Sequence, residues 1–105
     1  LARGGGDGVD YLVMPMYRVK LTCIGMTSEE GRDAPANVLE EFRTRPWHSN
    51  VRCEWINQQL ILWADNDFDD TGKALMDEYW DVVIACVTTD QELTFKIQAA
   101  IQLAD

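Results

Sequence analysis

The stretch from Val51 to Ala64, VRCEWINQQLILWA, constrains the fold most, because its side-chain pattern favours a single hairpin register. With Asn57 and Gln58 as a two-residue turn, Ile56 faces Gln59, Trp55 faces Leu60, Cys53 faces Leu62 and Val51 faces Ala64. Val51, Cys53, Trp55, Leu60, Leu62 and Ala64 then share one side of the ribbon. Arg52, Glu54, Ile56, Gln59, Ile61 and Trp63 share the other. A slip of one residue would mix the two sets and turn core residues toward water. One side is therefore core. The other carries Ile56, Ile61 and Trp63 among polar groups and is the candidate working surface.

The flanking segments supply the rest of a small α+β plan. Tyr11 to Gly25, YLVMPMYRVKLTCIG, alternates as a strand, with Val13, Tyr17, Val19, Leu21 and Cys23 on one face. Pro15 lacks an N–H, so regular central pairing is expected only after it. A polar loop, GMTSEEGRD, follows. Asp33 is expected to cap a helix starting near Ala34, with Pro35 tolerated in its first turn. That helix buries Val38, Leu39 and Phe42 and stops before Pro46. After the hairpin, Leu75, Met76, Tyr79, Trp80, Val83, Ile84 and Val87 recur at spacings of three and four, which predicts a second helix. Leu93, Phe95, Ile97, Ala99, Ile101 and Leu103 alternate without a break, which predicts a final strand.

The order β-α-β-β-α-β resembles the ferredoxin-like plan. It implies a four-stranded antiparallel sheet in the order 4-1-3-2, with two helices on one face and the other face open.

A chain of 105 residues suits one domain, here expected over residues 9–105, with residues 1–8 a flexible or cloning-derived leader. Hydrophobic residues make up 47% of the chain, which excludes a disordered one. The apolar run at Val82 to Val87 is far short of the roughly 20 residues that cross a bilayer, and no signal peptide is expected. The net charge of −9 opposes nucleic acid and anionic lipid, so neither nucleic acid nor membrane is expected as a partner. Cys23, Cys53 and Cys86 are widely spaced with no C-x-x-C pair, which points to free thiols in a reducing cytoplasm. No cofactor motif is present, and none is expected.

Three sets of residues stand out as candidate sites. On the open face, Arg18, Lys20, Arg52 and Lys96 gather with Thr22, Ile56, Ile61 and Trp63, and Glu54 is the sole acid expected there. This face is read as a homodimer interface, or as a site for an anionic or aromatic small molecule with Trp63 as platform and Lys20 or Arg52 as clamp. Single-stranded RNA is a third occupant, but the stacking motif of RNA recognition domains is missing. The segment DFDDTGKALMDE nearly fits a calcium loop, with Asp67, Asp69, Thr71 and Glu78 as ligands. Helix capping by Asp69, Asp70 or Thr71 is the competing reading. His48 is the sole histidine, with no Ser or Cys partner at a recognisable spacing. The expected function is binding or regulation by a homodimer. The alternative is a small-molecule enzyme of dimeric α+β barrel type with His48 near its pocket.

Overall fold

The computed structural model describes residues 15–103. The expectations for residues 1–8 and for Val13 lie outside that range. The elements run β1 (Tyr17–Ile24), α1 (Ser28–Phe42), β2 (Ser49–Ile56), β3 (Gln59–Asn66), α2 (Lys73–Cys86) and β4 (Thr94–Gln102). The fold is α+β: one antiparallel four-stranded sheet, ordered β2-β3-β1-β4, and two helices. No helix among the described residues is long and apolar enough to cross a membrane.

The hairpin has the expected register from Arg52↔Trp63 to Ile56↔Gln59. Asn57 and Gln58 both take positive φ, 52° and 62°, the combination whose twist matches that of the flanking strands. The ladder shifts between Ser49 and Arg52, where the Val51–Ala64 pair was expected. Asn50 sits in that irregularity with φ 51°.

Both helices pack on the same side of the sheet. Trp55, Leu60, Cys23 and Phe95 form one row across the four strands. Trp55 lies so close against Gly31 of α1 that even a Cβ there would collide with the indole. At the other end of the row, Phe95 meets Tyr79 of α2 edge to face, with centroids 5.5 Å apart. The Tyr79 hydroxyl donates to the Leu60 carbonyl at 2.9 Å, so its one polar atom is satisfied inside the core. Val19, Leu21, Leu62, Val38, Leu75 and Val83 fill the space between the layers.

Three expectations are corrected. The first helix does not start at Asp33. It starts at Ser28, because Thr27 and Glu30 close a capping box: Thr27 Oγ1 accepts from the Glu30 N–H, and Glu30 Oε1 accepts from the Thr27 N–H. Pro35 therefore lies two turns inside the helix rather than in its first turn. In the second helix, Trp80 and Ile84 are exposed, while Val82 takes a core position. Trp80 covers Phe95 instead, with centroids 4.6 Å apart. Finally, the alternation of β4 is interrupted by a bulge opposite Lys20 and Leu21. Ile97 stays opposite Leu21, but Ala99 and Ile101 turn to the open face opposite Lys20 and Arg18.

Candidate functional site

Directly paired residues share a face, so the ladders lay out the open side in rows from β2 to β4. One central row is Arg52, Trp63, Lys20, Ala99. The next is Glu54, Ile61, Thr22, Lys96. Beyond the first lies Asp65 beside Arg18 and Ile101. Beyond the second lies Ile56 with Gln59, Ile24 and Thr94. The sequence-derived candidates Arg18, Lys20, Arg52, Ile56, Ile61 and Trp63 are thus brought together.

Trp63 is the centre of this face. The Arg52 guanidinium carbon stands 4.3 Å from its ring centroid, and Lys20 Nζ stands at 5.7 Å. Cation–π contacts at solvent-accessible positions contribute about 0.5–1 kcal/mol each. Ile61 is only 8% exposed, whereas Ile24, Ile56 and Ile101 are open to solvent. A notch of about 170 Å³ beside Trp63 is lined by Arg18, Asn50 and Arg52. That is below the roughly 300–1,000 Å³ of ordinary small-molecule sites.

Asp65 corrects the expectation of a single acid on this face. Arg18 grips it with both prongs, Nε to Oδ1 and Nη2 to Oδ2, each at 2.8 Å, and Asn50 Nδ2 donates to Oδ2 at 2.9 Å. The Arg18 hydrogen bonds hold the carboxyl below its ordinary range, and the Asn50 bond adds to this. Arg18 in turn is held more firmly protonated by Asp65. Asp65 was legible, since it continues the alternation Ile61, Trp63. Ile101 was not, because a bulge reverses the face without a sequence mark.

The candidate calcium ligands are turned to other tasks. Asp69 is buried and accepts from three backbone N–H groups: Gly72 at 3.0 Å, Ala74 at 3.2 Å and Leu75 at 2.8 Å. It satisfies the open amides of α2 from outside the helix, because the cap position itself is Gly72 in a left-handed conformation with φ 85°. Thr71 Oγ1 accepts from the Lys73 N–H, Asp67 is exposed, and Glu78 points to His48. Among the described residues no three His, Cys, Asp or Glu side chains gather as a metal site.

His48 is held by both ring nitrogens. Nε2 lies 3.0 Å from Glu78 Oε2, and Nδ1 lies 3.4 Å from Asn66 Nδ2. An amide N–H can only donate, so Nδ1 accepts and Nε2–H donates to Glu78. Asn66 Oδ1 in turn accepts from the Phe68 and Asp69 N–H groups. Glu78 Oε1 stands 3.2 Å from Arg45 Nε, close enough to pair in charge but without hydrogen-bond alignment. A groove of about 400 Å³ passes His48, yet the His48 side chain is 0% exposed.

Comparison of the chain with protein-family models, curated proteins and solved structures finds no match.

Proposed function

We propose that the chain is a homodimeric binding or regulatory protein of ferredoxin-like topology, working through its open sheet face. For the topology, the sheet read from β4 is ordered 4-1-3-2, and α1 and α2 meet it through Trp55 and Phe95 of one row. For the function, one observation carries the reading: Trp63 lies at the centre of the sheet face that no described helix covers, with exposed Ile24, Ile56 and Ile101 around it. Apolar side chains on an uncovered face, amid arginine and tryptophan, have the make-up of an interface centre with a polar rim. The small notch beside Trp63 favours a broad partner over a small ligand. The enzymatic alternative rests on His48, whose ring nitrogens are both engaged within the fold. Free Cys23, Cys53 and Cys86 suit a reducing compartment such as the cytoplasm.

The test is the solution mass with and without Trp63. A Trp63→Ala chain, expected to keep its circular-dichroism spectrum, should run as a monomer at a concentration where the parent is dimeric. Loss of a central aromatic anchor costs about 2 kcal/mol or more, which weakens association roughly thirtyfold. A Trp63→Ala chain as dimeric as the parent would remove the open face from the interface.

A further inference from the structure

We infer that two copies stack sheet against sheet about a two-fold axis parallel to the strands, on the midline between β3 and β1, so that Glu54 of each copy meets Lys96 of the other. This rests on the open-face reading above and adds the geometry of the pairing.

Rotation about that axis exchanges β2 with β4 and β3 with β1, and leaves each row opposite itself. Under this exchange Arg52 faces Ala99 and Ile56 faces Thr94. Glu54 and Lys96 occupy the two edge strands of one row, so each lands over its opposite charge in the partner. In the adjoining row Trp63 lands over Lys20, which already approaches an indole face within its own chain. Asp65 lands over Arg18, extending in trans the charge pair that each chain forms alone. Both acids described on the face therefore meet a cation.

The other simple two-fold, perpendicular to the strands, exchanges rows instead of strands. It sets Glu54 against Arg52 and Trp63 against Ile61, but leaves Asp65 over Gln59, Lys96 over Ala99 and Arg18 over Ile24. About this axis only one of the two acids, Glu54, meets a cation. Complementarity favours the strand-parallel axis.

Reach and area agree with this arrangement. Stacked sheets lie about 10 Å apart, a distance that one lysine and one glutamate bridge together. Glu54 and Lys96 lie on a central row, where the right-handed twist of the sheets separates them least. Four strands about 4.8 Å apart and eight residues long give a footprint of about 500 Å² per copy. The two copies together reach about 1,000 Å², the lower bound of a specific interface.

The experiment uses two single variants, Glu54→Lys and Lys96→Glu, both at exposed positions. Each alone sets like charges together twice per dimer, and dimerisation is expected to weaken at least about tenfold. Mixed in equal amounts, they should re-form a dimer of parental affinity. In that heterodimer the two substituted side chains, one now basic and one now acidic, meet at one contact, and native Glu54 meets native Lys96 at the other. Sedimentation equilibrium on each variant and on the mixture reads the outcome. A monomeric parent would overturn the open-face reading itself. A dimeric parent whose Lys96→Glu variant is unaffected, or whose mixed variants stay apart, would overturn the strand-parallel axis and leave the open face standing.

Discussion

Asp65 shows how single residues set the character of the open face. Its carboxylate is 2% exposed, and the three hydrogen bonds from Arg18 and Asn50 offset the cost of that burial. The pairing occupies Asp65 with Arg18, while Arg52 and Lys20 flank Trp63. It also has a pH signature. The carboxyl is held below its usual 3.8 in the folded state, so its contribution is complete above that value and fades as pH falls through the lower folded-state value. The stability gap between the parent and an Asp65→Asn chain, followed by urea denaturation, should be constant from neutral pH to about 5 and close below about 3.8. A gap unchanged down to about pH 2 would contradict the pairing. Buried thiols behave as inert core groups: burial pushes Cys23 and Cys53 up to about 12.

At the scale of elements, sequence pattern and structure agree where side-chain period decides and part where local chemistry does. The hairpin register followed from which residues could share a core. The start of α1 was misplaced although Thr27 and Glu30 stand at capping-box spacing, because Pro35 was read as a first-turn residue. The Asp69 cap was legible as an acid near a helix start, though not its reach across three amides. The β4 bulge was hidden, since Ala99 and Ile101 fit an unbroken alternation equally well. Gly31 escaped notice altogether, because only the approach of Trp55 gives it meaning. A Gly31→Ala change gains about 1 kcal/mol of helix propensity but drives a methyl into the indole. The clash should win, with a net loss of about 1–2 kcal/mol in chemical denaturation. A gain in stability would show that α1 does not rest on Trp55.

For the whole molecule, the uneven spread of charge is the main clue to function. Among the described residues, Arg18, Lys20, Arg52 and Lys96 stand on the open face with two acids, Glu54 and Asp65. That gathering was legible from strand alternation, since it needs only the assignment of faces. The pairing proposed for the face was not legible, because it depends on strand order and on the pairing of β1 with both β3 and β4. The same layout explains why His48, the most conspicuous residue by type, is secondary here: its hydrogen bonds tie the loop before β2 to α2 and expose no ring surface. If a second copy covers Trp63 as proposed, the parent chain is a dimer in solution. Light scattering on a sizing column at about 50 µM should give twice the 12.0 kDa of one chain, since a dissociation constant near 1 µM or below leaves dimer dominant. A mass of 12.0 kDa at that concentration would contradict it.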